Sequence, residues 1–328
     1  MYSWSRRLGL VIAAVLTCGA CQAFAQPASP TKASLRLDWK GGGQHAPFYL
    51  ARERGYYKDE GIDLDIISGS GSSDVVKQVG SKAVEFGLAD ALVLVQAAEQ
   101  RVPLTTVAAY YQRNPIVVLS PRSKPVTDPR QLTEGVKLGS KKGSATFQGL
   151  RAFLAANDIP LEKITLVDIG FGVQPLLVKQ VDAMMGFSMN EPIEAESAGL
   201  PVTVMAISDH GVDTYGLMIV SNPELISKNP ALVKGFLKAT ARGLSDAAKD
   251  PDAAVAALTK ALFESDAARE AKVLDRTLPY FQSDDKGARS GWQSEDRWEH
   301  TIAIARKLGL IEHDLSARQL FSNDMLPH

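Results

Sequence analysis

The chain has 328 residues, with 36 Lys+Arg against 37 Asp+Glu, 45% hydrophobic and 22% charged residues. These proportions exclude a disordered, collagen-like or disulfide-framework chain, and the length allows two domains or lobes with a sizeable core. A formal net charge of −1 gives no electrostatic reason to expect nucleic acid or an anionic membrane as partner.

Residues 1–25 read as a secretory signal peptide. Arg6 and Arg7 open it, Leu8 to Leu16 is apolar, and Ala23-Phe24-Ala25 is a small-x-small exit before Gln26. The apolar run falls well short of the roughly 20 residues that span a bilayer, so no direct membrane insertion is expected. Cleavage after Ala25 would place the protein in the periplasm. It would also remove both cysteines, Cys18 and Cys21; a lipid-anchored Cys21 is the alternative. Removing the two arginines from 36 Lys+Arg leaves 34 against 37 Asp+Glu, a net charge of −3. A mature chain of this kind has no disulfide, no Cys-ligated metal and no Cys nucleophile.

After a Pro/Ser/Ala-rich linker over 26–32, short strand-like runs alternate with helical patterns. Leu35-Arg36-Leu37 reads as a strand, Pro47 to Arg54 as a helix, Leu64 to Ile67 as a strand and Ser72 to Gly80 as a helix. Phe86 to Leu88 and Thr105 to Ala108 are strands flanking the helix Leu92 to Gln100. A second set begins after Pro121. Its strands are Val136 to Leu138, Ile164 to Val167, Ala183 to Gly186, Val202 to Ala206 and Tyr215 to Val220. Its helices are Ser144 to Asn157, Val173 to Gln180 and Glu191 to Ala198. The last hundred residues are mostly helical, with one stripe through Leu232, Phe236, Thr240 and Leu244 and another through Trp298, Ile302, Ala305 and Leu308. The alternation predicts an α/β class with largely parallel sheet, in two units with a helical tail.

Enzyme signatures are sparse. Gly69-Ser70-Gly71-Ser72-Ser73-Asp74 has Asp74 where a dinucleotide fingerprint needs its third glycine. Its backbone N–H groups and hydroxyls could still receive a small polar ligand, or Ser72 could simply cap the helix. No P-loop, His-Glu-x-x-His or Gly-x-Ser-x-Gly motif is present, and the five histidines show no metal-ligand spacing, so neither cofactor nor metal is expected. Chemistry-bearing residues gather instead at carboxyl ends of strands, where open α/β sheets take ligands: Trp39, Ser68 and Asp90 in the first unit, Glu191 in the second. Gly41-Gly42-Gly43, between Trp39 and His45, either bends close around something or is a plain surface turn. An aromatic face plus one carboxylate suits a flat heterocycle carrying N–H donors.

Three segments carry a resemblance. Leu37-Asp38-Trp39, His45-Ala46-Pro47-Phe48-Tyr49-Leu50-Ala51 and Gly55-Tyr56-Tyr57-Lys58-Asp59-Glu60-Gly61-Ile62-Asp63-Leu64 form an opening similar to that of ABC-transporter solute-binding proteins of the thiamine-pyrimidine-precursor-binding family. That family is related to the sulfonate- and nitrate-binding proteins. Val181-Asp182-Ala183 running on to Asn190-Glu191-Pro192, and Gly211 to Leu217, agree in order. The resemblance implies a type II periplasmic binding protein: two α/β lobes joined by a two-crossing hinge with a ligand cleft between them. Lobe I would be 33–121 with 212–328, and lobe II 122–211, with hinges near Ser120-Pro121 and Asp209 to Asp213. By the same resemblance Trp39 would stack on an aminopyrimidine ring and Glu191 would bind its ring nitrogen and amine. His45 and Tyr215 would line the cleft, beside Ser68, Ser70 and Asp90 from the residue reading.

The expected function is capture of a thiamine pyrimidine precursor by a monomeric binding protein, for delivery to an ABC permease and its ATPase. A sulfonate, nitrate or aromatic carboxylate is the alternative ligand. An exported enzyme on the same scaffold is the other class, with Glu191 and His45 as its one nameable acid/base pair. The related eukaryotic pyrimidine-making enzyme uses a cysteine-rich motif and a pyridoxal-phosphate lysine. A mature chain without cysteine departs from that enzyme, and Gly41-Gly42-Gly43 departs from the binding-protein family's pattern, replacing the Pro/Asn/Thr-type residues expected after the tryptophan.

Overall fold

The computed structural model describes Met1 and residues 29–170, 172–283 and 289–327. The expected signal peptide, with Cys18 and Cys21, lies outside the described residues. In chain order the strands are β1 (Thr31–Arg36), β2 (Ile62–Ile67), β3 (Phe86–Asp90), β4 (Thr105–Ala109) and β5 (Ile116–Pro121). Then come β6 (Lys137–Ser140), β7 (Thr165–Asp168), β8 (Ala183–Phe187), β9 (Val202–Ala206) and β10 (Leu217–Ser221). The helices are α1 (Ala46–Glu53), α2 (Tyr56–Asp59), α3 (Ser72–Gly80), α4 (Ala91–Glu99), α5 (Ala145–Ala156) and α6 (Gln174–Leu177). They continue with α7 (Glu191–Ser197), α8 (Pro223–Lys228), α9 (Pro230–Lys249), α10 (Pro251–Ala261), α11 (Ala267–Thr277) and α12 (Glu295–Lys307).

Two five-stranded sheets define two lobes, in the orders β2-β1-β3-β10-β4 and β7-β6-β8-β5-β9. Each is mixed rather than largely parallel. β10 runs antiparallel to β3 and β4, and β5 antiparallel to β8 and β9, because these two strands enter their sheets straight from the lobe crossings. The pairing of Ile116–Pro121 with β8 and β9 moves the first crossing to 110–115, upstream of the expected Ser120-Pro121. Lobe I therefore gives up 116–121 to lobe II. Pro121 is no hinge; it sits at the last residue of a strand, where a missing N–H costs little. The second crossing runs from a 3-10 turn at Ile207–His210 to Leu217.

Local chemistry sets these elements. β2 alternates buried Ile62 and Leu64 with exposed Asp63 and Asp65, the period-2 signature of a strand with one wet face. Pro230 opens α9 behind Asn229, whose side chain accepts from Leu232 N–H. Its inward stripe stacks Phe236 on Phe86 with ring centroids 3.9 Å apart, and burying a phenyl ring there contributes about 2–3 kcal/mol. α9, α10 and α11 pack on lobe I, whereas α12 lies against α4 of lobe I and α5 of lobe II. Among the described residues, no helix is long and apolar enough to cross a membrane.

Candidate functional site

A cleft runs between the lobes at the carboxyl ends of β1, β6 and β8. Lobe I contributes Asp38 and Trp39 just after β1, and Gly71-Ser72 at the start of α3. Lobe II contributes Lys141 and Ser144 to Thr146 around the start of α5, then Phe187 and Glu191. Gly71 has φ +131° and ψ 158°, a backbone conformation that L side chains rarely adopt. Its missing Cβ would stand 3.8 Å from the Gly143 carbonyl of the other lobe. The lips touch there, as Ser73 Oγ donates to Gly143 O at 2.9 Å. They touch again where Tyr280 and Ser188 hydroxyls share a hydrogen bond of 2.7 Å and Arg276 reaches Glu196 at 3.4 Å. The lobes are closed on one another.

Asp38 and Glu191 give the cleft acids from both lobes. Asp38 accepts at 2.9 Å from Nε2 of the fully buried His45, which fixes the carboxylate from behind. Glu191 opens α7 with Pro192 as its first-turn proline, and its Oε2 accepts from Phe187 N–H at 2.7 Å. Gly186 clears space for it, since a Cβ there would lie 3.0 Å from the Glu191 carboxyl carbon. Loss of solvent pushes the Glu191 carboxyl up to about 7, against the opposing backbone hydrogen bonds. Lys141 Nζ stands 5.0 Å from the Trp39 ring centroid, and desolvation holds its ammonium below the usual lysine range. The first turns of α3 and α5 add partial positive charge, and Ser144 caps α5 by accepting from Phe147 N–H at 3.2 Å.

Of the residues predicted from sequence, Trp39 and Glu191 line the cleft together. His45 and Asp90 stand one layer behind it. His45 holds Asp38, and Asp90 N–H donates to Ser72 Oγ at 3.0 Å while its carboxylate caps α4. Desolvation raises the Asp90 carboxyl to about 7, and the neighbouring Asp38 adds to the rise. Ser68 and Ser70 are exposed and outside the lining, because Gly69 tucks its Cα against the Leu37 carbonyl and turns both side chains to solvent. Tyr215 is not brought to the cleft either. Its hydroxyl accepts from Ser294 N–H at 2.7 Å, and its ring packs 5.5 Å from Trp298 in the core. His45 and Glu191 form no acid/base pair, each being engaged by a different group.

Gly41 and Gly42 line the space between the lobes beside Trp39, Glu191 and Arg269, whereas Gly43 serves packing. A Cβ on Gly43 would meet the Glu270 carbonyl at 2.2 Å and Leu274 N at 2.9 Å, so α11 presses directly on this backbone. Glu270 accepts from Gly43 N–H to complete the contact. Sequence reading missed Asp38, Lys141, Ser144 and Thr146, although each lies just past a strand at the sheet end where ligands gather. It also missed Gln44 and Tyr111, for which no local signal exists. Among the described residues, no group of three His, Cys, Asp or Glu could hold a metal ion.

A family model described as NMT1/THI5 like matches residues 43–254. The chain is 27% identical to the riboflavin-binding protein RibY of Chloroflexus aurantiacus, over 98% of this chain and 97% of the relative. It is 25% identical to a 4-amino-5-hydroxymethyl-2-methylpyrimidine phosphate synthase of Legionella pneumophila, over 90% and 93%. A formylaminopyrimidine-binding protein of Halalkalibacterium halodurans is 23% identical over 95% and 97%. Among solved structures, the alkanesulfonate-binding protein SsuA of Xanthomonas axonopodis pv. citri superposes with a TM-score of 0.69, at 14% identity, covering 90% of this chain and 100% of that one. That likeness carries the fold: the chain has the periplasmic-binding-protein architecture.

Proposed function

The chain belongs to the NMT1/THI5-like family, and we propose that it is the exported binding component of an ABC importer, capturing a small heteroaromatic ligand by closure of its two lobes. The observation that carries this reading is the facing of Trp39 on lobe I and Glu191 on lobe II across one cleft. An indole gives a flat surface for a ring, and a carboxylate supplies an acceptor for N–H donors on that ring's edge. A ligand held by both lobes shifts the open–closed equilibrium toward the closed form by its differential affinity, and a permease can read that closed form.

The ligand we place first is an aminopyrimidine precursor of thiamine. The formylaminopyrimidine-binding relative supports it, and the riboflavin-binding relative is named for a ligand that is also a nitrogen heterocycle. A second reading is an anion such as a sulfonate, favoured by the α3 and α5 first turns and by Lys141. The synthase relative raises an enzyme, and we take the protein as a binder because His45 and Glu191 are separately engaged.

The test uses exported protein stripped of copurified ligand by unfolding and refolding. Thermal shift and calorimetry are run with hydroxymethyl- and formylaminomethyl-aminopyrimidine, riboflavin, an alkanesulfonate and nitrate. Ligand at a hundredfold excess over its Kd should add about 2.7 kcal/mol of stability. A response to a heterocycle recovered unchanged after long incubation supports the reading. A response to anions alone replaces the ligand, and turnover replaces the class.

A further inference from the structure

Beside the Trp39–Glu191 pair, the cleft continues into a small recess of about 10 Å³ between the lobes, room for one small polar group. Gln44, Tyr111, Asn190 and Leu217 line it together with Asp38 and Glu191. Among the described residues, two buried side-chain oxygens of that wall have no hydrogen-bond partner: Gln44 Oε1 and Tyr111 Oη. Gln44 is 6% exposed and Tyr111 1%. A buried polar atom left unsatisfied is costly, so two in one recess call for a partner that the packing does not supply.

The surroundings hold both groups in place. Gln44 is the middle residue of the 3-10 turn Gly43–His45 that α11 clamps, and its carbonyl accepts from Tyr110 Oη at 2.6 Å. A Cβ on Gly42 would lie 2.8 Å from Gln44 Oε1, so the glycine gives the amide its room. Tyr111 stands on the first lobe crossing, pinned by its N–H to Leu217 O at 2.8 Å and stacked 5.1 Å from Tyr110. Burial drives its phenol well above the usual range, so it stays protonated and can donate.

We propose that Gln44 and Tyr111 form a second recognition subsite, which reads a ligand substituent able both to donate and to accept. Gln44 Oε1 takes the donated hydrogen, and Tyr111 Oη–H supplies one in return. A hydroxyl does both, as does an N–H adjoining a carbonyl. The subsite selects among heterocycles that share the ring and differ at that substituent. It rests on the heterocycle-binding reading above, and because Asn190 and Glu191 of lobe II complete the recess around Gln44 and Tyr111, the substituent is read only in the closed form.

The experiment compares probes that differ by this one group. They are 4-amino-5-hydroxymethyl-2-methylpyrimidine against its 5-methyl analogue, and riboflavin against 3-methylriboflavin. Calorimetry is done on the wild type, Tyr111→Phe and Gln44→Leu. The wild type should prefer the hydrogen-bonding member of one pair by about 3- to 10-fold, the size of one net hydrogen bond, and each variant should bring that preference to about one. Tyr111→Phe should leave the ligand-free melting temperature unchanged or higher, since it removes an unpaired group, whereas a purely structural role would lower it. A preference that survives in both variants, or its absence from the wild type, overturns the subsite and leaves the binding function standing. Wild-type protein that takes none of the four probes overturns both.

Discussion

Lys141 of lobe II lies with its ammonium 5.0 Å from the centroid of the Trp39 ring on lobe I, so a cation–π contact ties the two halves of the molecule across the cleft. Such a contact contributes about 0.5–1 kcal/mol at an exposed site. A ring stacking on that indole face competes with the ammonium for it. Trp39→Ala should weaken a heterocycle by about 1–3 kcal/mol through lost area and face contact. Lys141→Met should tighten a neutral heterocycle about 2- to 5-fold and weaken an anion, the size of one released cation–π contact. Titration calorimetry on both variants separates the ligand classes, and a heterocycle indifferent to both substitutions does not use this face.

Glu191 makes binding depend on pH. Its carboxyl sits at about 7 in the closed protein, and a neutral ring with N–H donors binds its ionised form best. Affinity should therefore rise between pH 6 and pH 8. Glu191→Gln keeps the shape and the bond from Phe187 N–H, flattens the profile, and should cost about 1.5–3 kcal/mol at pH 8. An anion would show the reverse trend, tightening as pH falls.

Much of this was readable from sequence where the determining contacts are local. The alternation of Ile62-Asp63-Leu64-Asp65 gives β2, and the Leu232–Phe236–Thr240 stripe gives the buried face of α9. The placement of Trp39 and Glu191 at strand ends brought both to the cleft. β5 was missed, although Ile116 to Leu119 is an apolar run, because Pro121 reads as a turn until its pairing with Val202 at the strand end is seen. Contacts distant in sequence were invisible. Tyr215 leaves the cleft for a hydrogen bond with Ser294, and Gln44 reaches its place through Tyr110, 66 residues away. The glycines beside Trp39 read equally as a loop bent around something or as a surface turn; Gly41 and Gly42 line the cleft, and what presses on Gly43 is α11, more than 200 residues downstream.

That packing gives a contrast between neighbours. A methyl on Gly43 meets backbone atoms of α11 at 2.2 Å, and neither side has freedom to yield. Gly43→Ala should cost about 2–3 kcal/mol in urea unfolding by overpacking and should disturb Gln44. A methyl on Gly41 meets the Cδ1 end of Leu262 at 2.4 Å, a flexible side chain that can swing aside. Gly41→Ala should cost under about 1 kcal/mol, within the range for tolerated substitutions. Equal losses would show that the loop, rather than its contact with α11, sets the cost.

Removing His45 should expose the dependence of the site on what lies behind it. His45→Leu fills similar space but leaves Asp38, which is 7% exposed, without its partner at 2.9 Å. An unpartnered buried carboxylate costs about 2–4 kcal/mol, in folding stability, in ligand affinity, or divided between them. Asp38→Asn in the same background should recover most of the stability, because the neutral amide needs no counter-group. Failure of that rescue would mean that His45 acts through packing alone.

Asp90 sets a stability trend with a definite sign. It is 1% exposed at the first turn of α4, and its carboxyl stands at about 7 rather than the ordinary 3.8, mainly through desolvation. As pH climbs from about 4 to about 7, the unfolded chain releases this proton while the folded chain keeps it. The unfolded state then binds fewer protons, so stability falls with rising pH across that window and levels off above it. Asn at this position still offers Oδ1 to Leu92 N–H, which Asp90 now receives at 3.0 Å. Asp90→Asn should match the wild type near pH 4 and exceed it above pH 7 by on the order of 1–3 kcal/mol. Urea unfolding at pH 4.5, 6 and 8 reads the divergence directly. Parallel curves would mean that Asp90 is ionised in the folded protein throughout.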